Sequence, residues 1–251
     1  MCGRFALTLL PELVRAECGY EEEVSFPPRY NIAPTQPIGV VTADTAGRRH
    51  FALMRWGFIP AWAKDPAAMP LLFNARGETL VQKAAFRTAA RHRRCLVPAS
   101  AFYEWRRDGT KTTPFMIERA DGGLMLFAGV WETYASPNGS EIDTVAIVTT
   151  SANGALASLH PRMPVIIAAN DAGLWLDCSQ PGLEALGLVR PAPDDLLTMR
   201  PVSANLNDAR RDDATVQQPA AGEPPTAARG QQKGGRKRPP DTQLSLFGDG
   251  G

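Results

Sequence analysis

The sequence has few of the residues that build metal centres and disulfide networks. Its 251 residues contain three histidines and four cysteines, and Cys2, Cys18, Cys95 and Cys178 form no C-x-x-C pair. This spacing favours neither a zinc site nor a disulfide framework, so we expect no metal and no cofactor. Scattered cysteines of this kind are typical of a reducing compartment, and we expect a cytoplasmic protein.

Long apolar runs and an excess of charge are absent as well. The longest apolar runs, GGLMLFAGV (122–130) and MPVIIAA (163–169), are too short to span a bilayer, and the first twenty residues do not resemble a signal peptide. We therefore expect an unexported protein without a membrane partner. The net charge of +1 does not by itself indicate an anionic partner, so any nucleic-acid site must come from a local cluster of cations.

The hydrophobic pattern predicts one β-rich domain followed by a tail. Short β-branched or aromatic runs predict buried strands, and residues 8–17 and 78–92 carry apolar side chains at helical spacing. Because the strands are too closely spaced for helical crossovers, we predict an α+β domain over 1–216. Its sheet is curved or barrel-like and mainly antiparallel, with a few flanking helices. Residues 217–251 are rich in Gln, Gly, Pro and Ala, which predicts a disordered C-terminal tail.

Two short segments carry unusual chemical groups. In MCGRF, Cys2 would present both a free thiol and a free α-amine once Met1 is removed. In AFYEWRR, Glu104 lies between Tyr103 and Trp105. An aromatic wall raises the pKa of a carboxyl group by desolvation, which prepares it for proton transfer.

Two further segments contain candidate polar groups. FNARGE places Asn74 just before a predicted helix, and the proline after His160 in LHPRMP holds that histidine in an extended conformation beside Arg162. Each candidate also has an ordinary structural explanation. Asn74 could be a helix N-cap, His160 a loop histidine, and Glu104 the outward half of an alternating strand. These patterns alone leave both kinds of explanation open.

Six motifs together indicate a family. MCGRF, YNIAPTQ, RWGFIPAW, FNARGET, RCLVPASAFYEW and SANGALASLHPRMPVII closely resemble, in order and spacing, the SOS-response-associated peptidase family, which shields abasic sites in DNA. The resemblance covers residues 2–210. It implies a barrel-like fold with a positively charged groove, and covalent capture of an abasic site in single-stranded DNA. The functional residues of the family fall on Cys2, Asn74, Glu104 and His160.

The chemistry of the N-terminus explains how capture would work. An α-amine with a pKa of about 8 condenses with the open-chain aldehyde of an abasic sugar, and the Cys2 thiol then closes a thiazolidine ring. His160 would act as acid and base in opening the sugar, Glu104 would move protons at the amine, and Asn74 would hold the attack geometry. Loss of Met1 must come first, through a cellular aminopeptidase or through self-processing. We thus expect a lyase-like cross-linking enzyme, and self-processing, if it is the route, would add an autopeptidase (hydrolase) activity.

Arginine residues near these candidates predict contacts with DNA phosphates. The DNA-binding candidates are Arg4, Arg76, Trp105, Arg106 and Arg162, with Trp105 available to stack on a base. A second group of arginines lies along a predicted helix and at its end. These residues could instead form a solvated, charged face of the helix. The members of this group are Arg87, Arg91, Arg93 and Arg94.

The tail contains one further motif. QLSLF (243–247) resembles the short peptide by which bacterial replication and repair proteins dock on the sliding clamp. Its anchors would be Gln243, Leu244, Leu246 and Phe247. The alternative is a chance apolar patch in a low-complexity segment.

Two other functional classes stay open. An N-terminal-nucleophile amidotransferase also begins Met-Cys-Gly before processing, although a β-branched residue usually follows and here the sequence continues Arg-Phe. A non-enzymatic reader of damaged DNA would need only the groove and the clamp peptide. In each DNA-binding case a monomer is sufficient.

Overall fold

A computed structural model describes residues 2–179 and 183–220, in which thirteen strands, four short α-helices and several 3₁₀ turns occur. The strands are β1 (Phe5–Leu7), β2 (Arg29–Ile32), β3 (Pro37–Ala43), β4 (Arg49–Trp56), β5 (Asn74–Arg76), β6 (Arg94–Ala99), β7 (Ala101–Asp108), β8 (Lys111–Arg119), β9 (Met125–Ala135), β10 (Glu141–Ser151), β11 (Arg162–Pro164), β12 (Ile166–Ile167) and β13 (Leu197–Pro201). The helices are α1 (Pro11–Cys18), α2 (Arg87–His92), α3 (Ala172–Leu176) and α4 (Leu183–Leu186). None of these helices is long and apolar enough to cross a membrane.

Five strands close into a barrel. β4 pairs with β3, β3 with β6, β6 with β9 and β9 with β10, and β10 returns to β4. All of these pairings are antiparallel except that of β4 with β10. The predicted barrel-like, mainly antiparallel sheet is therefore confirmed. Closure removes the exposed strand edges that an open sheet would present.

A second, five-stranded antiparallel sheet packs beside the barrel in the order β13-β8-β7-β1-β2. Its inner face contributes Phe5 and Phe102 to the main core. The Phe5 ring lies edge-on to Trp56 at 5.1 Å and to Phe127 at 6.2 Å between ring centroids. These edge-to-face aromatic contacts anchor the first strand of the chain to the barrel.

The chain then covers the outer face of the second sheet with residues 202–219, which we call the C-terminal strap. A small apolar cluster lies beneath the strap, formed by Ala6, Ala101, Tyr103, Met116, Val202, Leu206 and Val216. The Asp212 carboxylate accepts hydrogen bonds from the main-chain N–H groups of Tyr30 (2.6 Å) and Asn31 (2.8 Å). The strap thus satisfies donors on the edge strand β2, which would otherwise be left without partners.

The strap is the last part of the chain that the structure describes. Residues 221–251, which hold most of the predicted tail and the proposed clamp peptide at 243–247, lie outside the described residues.

The helix predictions are confirmed in one segment and partly wrong in the other. The segment 8–17 overlaps α1 (Pro11–Cys18), which is capped by Gly19 with a left-handed φ of 72°. In the segment 78–92 only Arg87–His92 is α-helical. The carbonyl oxygens of Val81 and Gln82 accept hydrogen bonds from the Arg87 guanidinium, at 3.2 and 3.1 Å. A side chain therefore caps these carbonyls, where the predicted helix would have used main-chain N–H groups.

Candidate active site

The register between β1 and β7 determines where Cys2 lies. The two strands run antiparallel with Phe5 opposite Phe102. In an antiparallel pair, the residues before Phe5 run alongside those after Phe102. Continuing this register places Gly3 opposite Glu104, and the negative charge of Glu104 acts on the thiol of the adjacent Cys2.

Cys2 is fully buried, and its main chain is held by a side chain from the barrel. Asn74 Nδ2 donates a hydrogen bond of 2.8 Å to the Cys2 carbonyl oxygen. Burial raises the pKa of the Cys2 thiol well above its ordinary value, and the Glu104 carboxylate raises it further. The thiol is therefore neutral at physiological pH.

Asn74 lies at the start of a strand, so the N-cap explanation is wrong. β5 runs parallel to β10 with Asn74 opposite Ile147, and the α-helix predicted to follow it begins only at Arg87. Asn74 Oδ1 is buried and accepts no hydrogen bond from the part of the chain that the structure describes. The amide is thus oriented by its bond to Cys2 and retains an acceptor atom.

Glu104 and His160 form a second pair at the same place. Glu104 Oε1 lies 3.8 Å from His160 Nδ1, and the two side chains are 7% and 24% exposed. Burial raises the pKa of the Glu104 carboxyl group, and the nearby His160 opposes this shift. A carboxyl group whose pKa is raised toward neutrality exchanges protons more readily at physiological pH.

The predicted aromatic wall around Glu104 is wrong. Successive residues of a strand point to opposite faces, so Tyr103 and Trp105 face away from Glu104 and pack against the cluster beneath the strap. The Tyr103 hydroxyl donates to the main-chain oxygen of Tyr30 at 2.6 Å. Glu104 shares its face with Phe102, a residue of the main core, and the burial of its carboxyl group therefore comes from the barrel side.

His160 ends a turn that returns the chain to the barrel. Its main-chain N–H donates to the Leu156 carbonyl oxygen at 3.0 Å, and β11 begins at Arg162 and pairs with the end of β10. The Arg162 N–H donates to His160 Nδ1 at 3.0 Å. The imidazole is thereby held by the main chain of the residue two positions later.

Two of the predicted DNA-binding arginines are engaged within the protein. Arg4 Nη1 donates to Asn31 Oδ1 (2.7 Å) and to the Leu206 carbonyl oxygen (2.9 Å), and burial lowers the pKa of Arg4. Arg162 makes a two-point ion pair with Glu78, with distances of 2.6 and 2.9 Å. Both guanidinium groups therefore hold parts of the site together in this structure.

The other predicted DNA-binding residues, Arg76, Arg106 and Trp105, are wholly or partly exposed. Arg76 and Arg106 are exposed. The Arg106 guanidinium lies 4.8 Å from the Phe115 ring centroid, and Arg106 Nε donates to Asp108 at 3.0 Å. Trp105 is half-buried, so one part of its ring is accessible. These positions leave Arg76 and Arg106 the more accessible cations.

The second basic group does not form one surface. Arg94 is 1% exposed and donates to the carbonyl oxygens of Trp175 (2.7 Å) and Ala90 (2.9 Å), so the prediction that it contacts DNA is wrong. Arg93 pairs with the buried carboxylate of Glu132. A cation among helix-terminal carbonyls stabilises the fold instead of meeting a phosphate.

An open groove of about 900 Å³ runs past Glu104 and His160. Its lining residues include Glu104, Trp105, Arg106, His160 and Asn207. Asn207 belongs to the C-terminal strap, and its Oδ1 accepts a 2.7 Å hydrogen bond from Trp105 Nε1. Sequence reasoning missed Asn207, because nothing near it in the chain carries a recognisable pattern.

The other three cysteines take no part in this site. Cys18 and Cys95 are buried, Cys178 is half-buried, and all of them are free thiols. Within residues 2–179 and 183–220, no group of three or more His, Cys, Asp or Glu side chains is arranged to hold a metal ion.

Comparison with known proteins connects this arrangement to a family. The profile described as SOS response associated peptidase (SRAP) matches residues 1–209. The chain belongs to this family. It is 34% identical over 215 residues to the abasic site processing protein YoqW of Bacillus subtilis, covering 84% of this chain and 96% of that one. It is 30% identical over 229 residues to the abasic site processing protein YedK of Escherichia coli, covering 87% and 100%.

Solved structures share the family fold. A protein from Bordetella bronchiseptica superposes with a TM-score of 0.71 at 28% identity, over 80% of this chain and 100% of that one. A protein from Bacteroides thetaiotaomicron superposes with a TM-score of 0.78 at 23% identity, over 86% and 99%, and this match supports the fold alone.

Replacing Glu104 tests how its burial affects stability. Because burial raises the pKa of Glu104, the folded protein binds more protons than the unfolded chain above pH of about 4.3. The free energy of unfolding then falls as pH rises toward the folded pKa. We expect Glu104→Gln to remove this loss and to raise the free energy of unfolding at neutral pH, as measured by urea denaturation across a pH series.

The matched control is Glu141→Gln, a change at an exposed position on β10. It should leave the pH dependence of stability as in the wild type. A Glu104→Gln protein that is no more stable than the wild type at neutral pH would contradict the prediction.

Proposed function

We propose that this protein binds single-stranded DNA at abasic sites and captures the lesion covalently through Cys2, once Met1 has been removed. The observation that carries the proposal is the grouping of Cys2, Asn74, Glu104 and His160 beside an open groove. Relatives at 30 to 34% identity are named abasic site processing proteins. Processing of abasic sites in DNA is the function that this grouping supports best.

Covalent capture proceeds in two bond-forming steps. The Cys2 α-amine adds to C1′ of the ring-opened deoxyribose, and the resulting carbinolamine loses water to give an imine. The Cys2 sulfur then adds to the imine carbon while the thiol proton passes to nitrogen, which closes a five-membered thiazolidine. Water is the only product released. An amine alone would stop at the reversible imine.

Because the thiol is neutral, its proton must be moved during ring closure. Because burial raises the pKa of the Cys2 thiol, sulfur enters the reaction as S–H and needs a base. The Glu104 carboxyl group lies beside the thiol and carries a raised pKa, so it can take a proton from the amine or thiol and return it to the departing hydroxyl.

His160 and Asn74 have the two remaining roles in the proposed reaction. His160 opens the sugar by moving a proton between the C1′ hydroxyl and the ring oxygen. Asn74 holds the Cys2 carbonyl at 2.8 Å, which fixes the N-terminal residue for attack. Its buried Oδ1 can accept a hydrogen bond from a hydroxyl of the opened sugar or from the α-amine.

The remaining features of the proposal concern processing and partners. Met1 is removed by an aminopeptidase or by the protein itself, the latter being a hydrolase activity of the same residues. The protein acts as a cytoplasmic monomer without cofactor or metal. Docking on the sliding clamp through Gln243, Leu244, Leu246 and Phe247 would bring it to replication forks, where abasic sites meet single-stranded template.

Cross-linking to a defined lesion tests the proposal. The protein is incubated with single-stranded DNA that carries one abasic site, and denaturing gels and intact-mass spectrometry follow the products. We expect an adduct that survives denaturation, carried by protein that lacks Met1. Cys2→Ala should abolish it, and Glu104→Gln and His160→Ala should each slow its formation by about 100-fold or more.

The controls separate the alternatives. Cys2→Ser retains the α-amine and should give only a reversible adduct. An undamaged strand should give none. If protein with confirmed loss of Met1 forms no adduct, the proposal fails, and release of ammonia from glutamine would then favour the amidotransferase class.

Binding should depend on salt through Arg76 and Arg106. Each phosphate neutralised on single-stranded DNA adds about −0.7 to the slope of log K against log salt. We expect Arg76→Ala and Arg106→Ala each to make the slope shallower by about this amount, in fluorescence-anisotropy titrations with a non-reactive abasic analogue. Arg48→Ala, at an exposed position that does not line the groove, is the control. Unchanged slopes for both Arg76→Ala and Arg106→Ala would argue against this path for the DNA.

A further inference from the structure

The geometry points to Glu78 as a residue that positions the His160 imidazole, acting through Arg162. The inference deepens the proposed function and rests on it, because it assigns Glu78 to the same site. Glu78 is half-exposed, carries no part of the covalent chemistry, and lies 84 residues from Arg162 along the chain. Its effect on the reaction would therefore pass entirely through the residue that it holds.

The ion pair between Glu78 and Arg162 is two-pointed. Arg162 Nη1 donates to Glu78 Oε1 at 2.6 Å and Nη2 donates to Oε2 at 2.9 Å. Nη2 also donates to the Thr149 carbonyl oxygen at 2.7 Å. The Arg162 side chain is 18% exposed, so water competes little for the guanidinium. A planar, bidentate pair of this kind fixes both the position and the tilt of the arginine.

Arg162 in turn holds the imidazole with its own main chain. Its N–H and its carbonyl oxygen each lie 3.0 Å from His160 Nδ1. When Nδ1 carries no proton it accepts from the N–H, and when Nδ1 is protonated it can donate to the carbonyl. The main chain of one residue, Arg162, therefore supports both forms that an acid and base must pass through, and it keeps the ring in one orientation.

Glu78 lies where two segments of the site meet. Glu78 lies in the 3₁₀ turn Gly77–Thr79, directly after the strand that begins with Asn74. The strand β11, which begins with Arg162, pairs with β10 beside β5. The ion pair thus joins the segment after β5, whose Asn74 holds Cys2, to the start of β11, which follows His160.

The same contacts account for the limited access of Arg162. Both terminal nitrogens of its guanidinium already donate to Glu78 in this structure. A DNA phosphate would have to displace the Glu78 carboxylate to reach these two nitrogens. In this structure Arg162 therefore holds a positioning contact, with Glu78 as its anchor.

A double-mutant cycle tests the path through His160. The rate of adduct formation is measured at saturating abasic DNA for Glu78→Ala, His160→Ala and the double variant, with Kd for a non-reactive abasic analogue measured separately. We expect Glu78→Ala to lower the rate on the order of 10-fold with Kd unchanged or lower, and Glu78→Gln, which keeps one hydrogen bond, to lower it less. In the His160→Ala background, Glu78→Ala should cause no further loss.

An equal loss of rate in both backgrounds would overturn the inference, since Glu78 would then act independently of His160. The matched control is Asp121→Asn, which breaks a comparable exposed pair with Arg119 away from the site. Both changes remove the charge of a carboxylate whose side chain is at least half exposed.

A second readout does not depend on cross-linking. The chain has three histidines, so the imidazole signals in a ¹H–¹⁵N correlation spectrum of labelled protein can be assigned to His50, His92 and His160. Glu78→Ala should shift the His160 signals and leave the other two in place. Unmoved His160 signals would overturn the inference. A wild type that forms no adduct would instead contradict the proposed function.

Discussion

The antiparallel register between β1 and β7 is the constraint on which the whole site depends. Phe5 lies opposite Phe102, and the Tyr103 N–H continues the pairing by donating to the Arg4 carbonyl oxygen at 3.0 Å. A slip of one residue would turn every side chain of β1 to the other face of the sheet and would shift the preceding residues, Cys2 among them, relative to Glu104.

Burial of Phe5 opposes such a slip. Its ring is wedged against Trp56 and Phe127 of the barrel, and burying a phenylalanine contributes about 1.5–3 kcal/mol. The hydrophobic effect therefore fixes the segment that leads back to Cys2, the nucleophile of the proposed reaction.

The strand β10 supplies the rest of the arrangement. Asn74 reaches the site because β5 pairs with β10 in parallel, and His160 reaches it because β11 pairs antiparallel with the end of the same strand. Thr149 of β10 is opposite Arg76 on one side and Pro164 on the other. Two segments that are distant in sequence are thus brought together by one barrel strand.

Much of this could be predicted from the sequence, because strands and motifs are local signals. The runs that became β6, β8, β9 and β10 are β-branched or aromatic and bounded by turn residues, and the barrel-like sheet followed from their spacing. The candidates Cys2, Asn74, Glu104 and His160 were visible through their motifs, and the structure places them together.

Other features depend on contacts that a local pattern does not contain. The sequence placed Tyr103 and Trp105 around Glu104, yet strand alternation turns them to the opposite face. The helix expected to start at residue 78 begins at Arg87, because a side chain satisfies the earlier carbonyls. Arg94 looked like a surface cation, but two helix ends enclose it. Each outcome was decided by tertiary packing.

The chemical identity of the adduct tests the central claim most directly. Single-stranded DNA with ¹³C at C1′ of one abasic site is incubated with the protein and followed by carbon NMR. The account predicts a saturated C1′ carbon bonded to both nitrogen and sulfur, with the coupling to nitrogen traced to ¹⁵N-labelled Cys2. A carbon signal of an imine alone, or attachment to any nitrogen other than the α-amine of Cys2, would contradict it.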